Sequence, residues 1–466
     1  MAVSPSPAPR AESRKPGASR AGTTFEQRAL WYIQTLEPTC AAYNSALALE
    51  LHFSVDVASL EKAVRSVVAD HGVLRSVFRS DSLGEVHRYH LAEPPEIPCF
   101  EVSPDDLRRD ELFDVMSALS KRPFRLDREP PFRAVLFPGK TAPDHLLVVM
   151  HHIAADAFAH VQVVQEILQR YASVTRDERI RPVDAKPEPI GIAERQRAYL
   201  ASHRAQEDRE YWREELAGLS GYLELTPDLP TPPAYRYEGA EVPLDLGLDL
   251  LDAVENAAAA ADVTSFAYLI SVYQVLLYRF SGQCDFVVGY PVSSRRGTLD
   301  RHAIEFFAAL LPLRCRIDAD AGFDRVLRET WTRLSGGLRH RAFPHALLPW
   351  PAELVRDPRR PGPVTALFAY AEFPESHPLA GILVPGRRVE IAGLTVSSPG
   401  MPQQHGQFEL AWDLERGPQF VQAQLKYNTS LFTRETAQRM STEYTALLHA
   451  AVAGKLPASL SELRSA

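Results

Sequence analysis

Residues 144–157 read DHLLVVMHHIAADA, and this stretch decides how the chain is expected to fold. The apolar run 146–150 has the length and composition of a fully buried strand. The following residues, 158–171, carry apolar side chains at helical spacing. The junction between this strand and this helix holds three polar side chains: His151, His152 and Asp156.

Buried strands seldom end in residues this polar, so the junction is a candidate site. An imidazole has a pKa near neutrality and can take a proton from an attacking amine or hydroxyl, which makes either histidine a candidate general base. Asp156 can then orient that base or brace the loop. Spacing alone also allows a structural interpretation, in which both histidines are hydrogen-bonded side chains of the core or the surface and have no catalytic role.

The composition is that of an ordinary folded protein. Of the 466 residues, 45% are hydrophobic and 24% are charged, which excludes a disordered, collagen-like or coiled-coil chain. The net charge of −8 argues against nucleic acid or anionic lipid as a partner. The four cysteines form no C-x-x-C pair, no apolar run approaches the roughly 18 residues of a membrane span, and the N-terminus lacks the apolar region of a secretory signal. A cytoplasmic chain is therefore expected.

The chain divides into a tail and two lobes. Residues 1–22 contain four prolines and four cationic side chains, so they are expected to form a disordered basic tail. A docking segment for an acidic partner is the alternative. Residues 175–190 have the charge and proline content of a linker. We therefore predict an N-terminal lobe over 23–178, and a linker with a C-terminal lobe over 179–466.

Both lobes show the alternating strand and helix periods of mixed α/β structure. The patterns predict strands at 46–53, 74–79, 241–246 and 286–292. They predict helices between Asp56 and Gly72 and at 193–216, 250–261 and 265–280. The two halves open with a similar strand and helix order, which suggests an internal duplication.

Four segments resemble, in order, the motifs of the condensation domains of non-ribosomal peptide synthetases, within the wider His-x-x-x-Asp acyltransferase superfamily. Segment 24–31 is similar to the opening Ser-x-x-Gln-x-Arg-Leu-Trp motif, and 71–78 to His-x-x-Leu-Arg-Thr-x-Phe. Segment 151–157 is similar to His-His-x-x-x-Asp-Gly, and 288–295 to Val-Gly-Thr-Pro-Val-x-x-Arg. Weaker similarities, such as that of 306–314, extend the resemblance from residue 24 to about 463. The order and spacing of the motifs make the set specific.

The resemblance implies two chloramphenicol-acetyltransferase-like α/β lobes in a V-shaped pseudo-dimer, with a channel between them. It implies that His152 is catalytic, as a base or as a hydrogen-bonding partner of the attacking group and the tetrahedral intermediate. His151 and Asp156 would be supporting residues, with Asp156 paired to Arg295. Two further residues are candidates for lining the channel: Ala157 and Tyr290.

Several departures from the family pattern concern the substrates, and the Tyr-x-Asp-Tyr-Ala-x-Trp region is barely recognisable around 190–197. Ala157 stands where the family has the glycine after the aspartate, Ala309 where it has an asparagine, and Ala29 where it has the opening arginine. Because these motifs concern substrate access and the acceptor side, we expect a soluble or otherwise unusual acceptor.

The implied activity is acyl transfer from a carrier-protein phosphopantetheine thioester to an amine or hydroxyl. The product would be an amide or ester, with or without chain release, in non-ribosomal peptide or polyketide biosynthesis. The acceptor would be a small molecule or carrier-bound. The resemblance fills the chain from residue 24, without an adenylation or carrier domain, so we expect a monomer that meets an acyl or peptidyl carrier protein in trans. The phosphopantetheine would belong to that partner, and no cofactor bound by this chain is expected.

Two alternatives remain at this point. One is an acyltransferase that uses coenzyme A thioesters directly, and the other is a non-catalytic condensation-like platform that docks a tailoring enzyme. Serine hydrolase, P-loop and zincin motifs are absent from the sequence. His340 and His345 have no acid or cysteine partner nearby in the sequence and are interpreted as part of a solvated loop, so no metal site is expected.

Overall fold

The computed structural model describes residues 20–92, 109–139, 143–178, 191–297, 300, 303–354, 357–373, 382, 384–401 and 405–464. Most of the predicted linker (179–190) and residues 1–19 of the predicted tail lie outside the described residues.

The N-terminal half alternates strands and helices, as the periodicity predicts. Its helices are α1 (Phe25–Leu36), α2 (Val57–Asp70), α3 (Arg109–Ser120) and α4 (Ala157–Thr175). Its strands are β1 (Arg20–Gly22), β2 (Asn44–Leu51), β3 (Ser76–Ser80), β4 (Val86–His90), β5 (Phe132–Phe137) and β6 (Asp144–His151).

The C-terminal half is built in the same way. Its helices are α5 (Ile192–Leu200), α6 (His203–Leu216), α7 (Leu248–Ala260), α8 (Ser265–Ser281), α9 (Phe323–Arg339) and α10 (Arg434–Val452). Its strands are β7 (Gly239–Pro243), β8 (Asp285–Ser293), β9 (Ala308–Arg316), β10 (Ala366–Glu372), β11 (Arg388–Ile391), β12 (Leu394–Ser397), β13 (Leu410–Gly417) and β14 (Phe420–Asn428). Short 3-10 helices cover Gly72–Arg75, His345–Leu347, Ala352–Leu354 and Leu460–Arg464.

The sheet that carries the site has the order β11-β12-β2-β6-β5. Strand β6 is antiparallel to both neighbours, β2 and β5, and every one of its residues is buried. Its apolar side chains join a core that includes Val64 and Val67 of α2 and Val164 and Ile167 of α4. The continuous apolar run is thus explained by a central strand covered by helices.

The second lobe is organised around a mixed six-stranded sheet of order β7-β14-β13-β10-β8-β9. Strand β10 runs parallel to β13 and β8, and the other pairs are antiparallel. Helix α8 packs on this sheet, where the rings of Tyr273 and Trp412 lie 4.7 Å apart. No single helix in the described ranges is long and apolar enough to cross a membrane, although α7 and α8, bent by 102°, pass that test as a pair.

The predicted disordered tail is wrong for its last three residues. Arg20–Gly22 form β1, an edge strand antiparallel to β4, with Arg20 opposite Tyr89. The hydroxyl of Thr23 then donates to the carbonyl of Val86 at 2.7 Å. Backbone pairing at a sheet edge needs no large apolar side chain, so the composition of this segment did not reveal it.

The lobe boundary predicted at 178/179 does not divide the strands of one sheet from those of the other. Strands β11 and β12 belong to the C-terminal half but extend the sheet of the N-terminal lobe, with Val396 opposite Leu51. A side-chain contact reinforces the pairing, because His52 Nε2 and Ser397 Oγ lie 2.8 Å apart. This hairpin covers the edge of β2 that would otherwise present unpaired backbone groups.

Candidate active site

The loop between β6 and α4 carries the predicted site. His151 is the last residue of β6, so a central strand fixes its position. The backbone N–H of His152 donates to the carbonyl of Tyr43 at 2.8 Å. Asp156 starts α4, because its side chain accepts a hydrogen bond from the backbone N–H of Ala159 at 2.8 Å. Hydrogen bonds therefore hold both ends of the loop.

His151 is a neutral, structural histidine. It is completely buried, and its Nδ1 accepts the backbone N–H of Ile153 at 3.0 Å. Because Nδ1 accepts, Nε2 carries the proton and donates to Gln34 Oε1 at 3.2 Å. Burial, together with the neighbouring His152 and Arg133, lowers the pKa of His151 to about 3. Both ring nitrogens are thus committed to holding the loop.

His152 is also neutral, but it keeps one nitrogen available. Its Nδ1 lies 3.1 Å from the carbonyl oxygen of Ala155, and a carbonyl only accepts, so Nδ1 carries the proton. Nε2 therefore holds a lone pair, and none of the described residues hydrogen-bonds to it. The residue is partly exposed, whereas His151 is not. This is the state in which an imidazole can accept a proton.

The surroundings of His152 favour that neutral state. Burial lowers the pKa of His152 below its ordinary value of 6.5. The ammonium of Lys426 lowers this pKa further, whereas the carbonyl of Ala155 and the carboxylate of Asp156 raise it. At neutral pH the imidazole is therefore largely unprotonated.

Lys426 reaches this region from the other lobe. It lies on β14 between Leu425 and Tyr427, which pack into the core of the C-terminal lobe, so the alternation of a strand places Lys426 on the opposite face. Its ammonium lies 2.5 Å from a carboxylate oxygen of Asp413 on β13. Both lobes therefore contribute charge to the environment of His152.

Asp156 braces the loop and does not orient the base. One guanidinium nitrogen of Arg295, two residues after the end of β8 in the C-terminal lobe, lies 2.9 and 3.2 Å from the two carboxylate oxygens of Asp156. The same carboxylate accepts the backbone N–H of Phe307 at 3.3 Å. Arg295 also donates to the carbonyls of Asp300 and Ala303. The predicted Asp156 to Arg295 pair is thus present, and it joins the two lobes.

Of the two residues predicted to line a channel, Ala157 is exposed and Tyr290 is buried. Ala157 is exposed at the first position of α4 with φ outside the positive region, so the missing family glycine causes no backbone strain. Tyr290 is buried in the core of the C-terminal lobe, where it packs on Phe266 and against Gly337. The prediction that Tyr290 lines a channel is wrong, because its position on β8 faces the helices and not the other lobe.

Three residues next to the catalytic loop were not among the predicted site residues: Phe306, Gln27 and Glu305. The ring centroid of Phe306 lies 6.2 Å from that of His152, and Gln27 donates hydrogen bonds to the carbonyl of Ile153 and to Glu305. Gln27 stands in the opening motif, and Phe306 in the weaker similarity at 306–314, so both had a signal. Glu305 had no such sequence signal, because its contacts with Gln27 and Arg88 form only when the two lobes meet.

Other features lie away from this site. Within the described residues, no group of three or more metal-ligating side chains could hold a metal ion. The prediction that His340 and His345 lie in a solvated loop is wrong. His340 Nδ1 lies 2.7 Å from a carboxylate oxygen of Asp208 and its ring stacks on Tyr211 at 4.0 Å, while His345 begins a 3-10 helix and its ring packs edge-on to Trp350. A cavity of about 400 Å³ is lined by residues of α6 and α9, including Tyr211, Arg333 and Gly336.

Two α/β lobes that meet at a His-His-x-x-x-Asp loop are the arrangement of a condensation domain. The sequence model of that family, described as "Condensation domain", matches residues 20–463, and the chain belongs to this family. Solved structures agree: a four-domain nonribosomal peptide synthetase bound to AMP and glycine superposes with a TM-score of 0.83 at 21% identity, covering 97% of this chain and 34% of that one. The predicted two-lobed pseudo-dimer is confirmed.

The chain is also similar to parts of larger synthetases. It is 28% identical over 453 residues to one of the linear gramicidin synthase proteins of Brevibacillus parabrevis, covering 94% of this chain and 6% of that protein. It is 27% identical over 436 residues to phosphinothricin tripeptide synthetase PhsB of Streptomyces viridochromogenes, covering 92% of this chain and 36% of that protein. The chain thus spans a small part of these relatives, and it is a condensation domain of the non-ribosomal peptide synthetase type.

Proposed function

We propose that this protein transfers an acyl group from a carrier-protein phosphopantetheine thioester to an amine or hydroxyl, with His152 as general base. The observation that carries the proposal is the lone pair on His152 Nε2, which no described residue uses. Family membership supports amide formation in non-ribosomal peptide synthesis. Ester formation and release of the chain are further forms of the same chemistry.

The proposed step needs one imidazole and no other acid or base. As the acceptor nitrogen or oxygen attacks the thioester carbonyl, its proton passes to His152 Nε2, and a tetrahedral intermediate forms. The intermediate collapses by breaking the carbon–sulfur bond, and the imidazolium returns the proton to the departing thiolate. The products are an amide or ester and the pantetheine thiol. A proton on Nδ1, bonded to the Ala155 carbonyl, keeps the ring oriented throughout.

Asp156 and His151 support this step without touching substrate. Asp156 holds the start of α4 against Arg295 of the other lobe, and His151 uses both of its nitrogens to fix the loop. The proposed acyl donor is a separate carrier protein, and the acceptor is a small molecule or a second carrier-bound group. The net charge of −8 gives nucleic acid no basis for binding.

The test presents the full chain with the same acyl group in two forms, loaded on a holo carrier protein and on coenzyme A, together with a panel of amines and alcohols. Mass spectrometry follows the condensed product. Transfer from the carrier protein that greatly exceeds transfer from coenzyme A supports the proposal. Equal or faster turnover with coenzyme A supports the first alternative, and carrier binding without any turnover supports the docking platform. In the same assay His152→Ala is expected to lose transfer, and His203→Ala, at an exposed histidine of α6, is the control for the loss of a histidine as such.

A further inference from the structure

A buried polar cluster joins the two lobes directly beside His152. Its members are Gln27 of α1, Arg88 of β4 and Glu305 of the segment before β9, and each is no more than 7% exposed. Arg88 and Glu305 form an ion pair between the lobes. Gln27 Nε2 donates to Glu305 Oε2 at 3.0 Å. A charge in such a place is stable only when its partners are present.

Gln27 connects this cluster to the catalytic loop. Its Nε2 donates to the carbonyl of Ile153, the residue after His152, at 2.9 Å. Its Oε1 accepts the backbone N–H of Thr24, so all the hydrogen-bonding groups of the amide are used. The amide can hold Ile153 and Glu305 together only in this one orientation.

The residues immediately before and after Phe306 are both anchored, and together they hold Phe306 beside His152. On one side, Glu305 is anchored to Gln27 and Arg88. On the other, the backbone N–H of Phe307 donates to Asp156. The segment 305–307 therefore cannot move away from the catalytic loop unless one of these anchors breaks.

We infer that Glu305 is a positioning residue, which fixes the ring of Phe306 beside the imidazole of His152 and so keeps this part of the opposite lobe packed next to the catalytic ring. This inference rests on the proposed function of His152. Glu305 does not contact the imidazole itself, so it acts through Phe306 and through the carbonyl of Ile153.

The test uses Glu305→Gln in the full chain, with selectively ¹⁵N-labelled histidine. The resonances of His152 are assigned by their loss in His152→Ala, and the pKa of His152 is read from their pH titration. The other groups that act on this imidazole are Asp156, Lys426, His151 and His160, and the substitution leaves all of them in place. If Phe306 is released, water reaches the ring and the pKa of His152 rises toward 6.5. Turnover is expected to fall by about 10- to 100-fold, with little change in KM.

The control is Glu409→Gln, which breaks a second buried ion pair, with Arg360, in the C-terminal lobe. It is expected to lower thermal stability but to leave the titration of His152 unchanged. If Glu305→Gln does not fold, the double variant Arg88→Gln with Glu305→Gln removes both charges and leaves neither uncompensated. An unchanged His152 titration in the folded single or double variant overturns the inference. Because the titration needs no substrate, a shift in a protein without transferase activity would support the positioning role and refute only the proposed function.

Discussion

The carboxylate of Asp156 and the guanidinium of Arg295 form an ion pair across the two lobes, with the shorter contact at 2.9 Å. The same carboxylate caps α4 and accepts the backbone N–H of Phe307. One side chain therefore starts a helix, holds the loop of His152 and joins the lobes. This explains why the acid of the motif stands four residues after the second histidine, where it reaches past the loop and not to the imidazole.

Asp156→Ala is expected to destabilise the fold by about 3 to 5 kcal/mol, because it leaves the guanidinium of Arg295 without its carboxylate in a buried position. Chemical denaturation followed by circular dichroism measures this free energy of unfolding. Asp56→Ala is the matched control, since Asp56 caps α2 in the same way but is exposed and pairs with no arginine of the described ranges. The control should cost clearly less, because it removes only a helix cap. Equal losses for both variants would show that the ion pair contributes nothing.

Lys426→Met is expected to move the acid limb of the pH–rate profile to higher pH. The ammonium of Lys426 opposes protonation of His152, so its removal raises the pKa of that imidazole, and the uncompensated Asp413 acts in the same direction. Initial rates between pH 5 and 8 measure the shift. Lys455→Met, at an exposed lysine, should leave the profile in place. A shift to lower pH would contradict the electrostatic account.

Buried histidines make the fold sensitive to acid. Burial lowers the pKa of both His151 and His160 to about 3, below the ordinary value of 6.5. The unfolded chain therefore binds more protons than the folded one below pH 6.5, and stability falls as the pH falls from 6.5 toward 3. Each such histidine contributes about 1.4 kcal/mol per pH unit in this window.

His160→Gln is expected to reduce that sensitivity. Its ring contacts Ser45 through Nδ1, while its Nε2 has no partner in the described part of the chain. The difference in unfolding free energy between about pH 7.5 and pH 4.5 should shrink by about 3 kcal/mol, because about two pH units of that range lie below 6.5. His203→Gln, on the exposed surface, should change nothing. An unchanged difference in His160→Gln would mean that this imidazole titrates normally in the folded protein.

Ala157→Gly, which restores the family glycine, is expected to have a small effect. Ala157 is exposed in ordinary helical geometry, so glycine adds only backbone freedom and costs up to about 1 kcal/mol. Turnover should stay within about 2-fold of the parent protein. Thermal unfolding and a standard transfer assay measure both quantities. A large gain in activity would show that the methyl group narrows the path of a substrate.

Much of the fold could be predicted from the spacing of apolar residues and from residues that cap helices. The strand at 146–150, the helix that starts after Asp56 and the apolar helix at 265–280 are local features, and each is found within a few residues of its predicted bounds. The capping role of Asp156 was not predicted. The helix predicted at 193–216 is two helices, because the chain turns at residues 201–202 and Ser202 caps the second. The cap signal of Ser202 is local, but the long helical pattern around it conceals the break.

The pairing between distant segments could not be predicted in this way. Strand β12 joins β2 across more than 300 residues of chain, and Glu305 meets Gln27 across a similar distance. Nothing in the spacing of either segment indicates its partner, since the contact exists only when both lobes are formed. The Asp156 to Arg295 pair was anticipated only through the family resemblance, for the same reason.

The most direct test of the central claim compares single-turnover acyl transfer by the parent protein and by His152→Ala, with the same loaded carrier protein and acceptor. His152→Ala is expected to fold, because the imidazole is partly exposed and its Nε2 has no partner among the described residues. The rate of product formation is expected to fall by roughly 10²- to 10⁴-fold. A folded His152→Ala protein that transfers the acyl group at the parental rate would contradict the account.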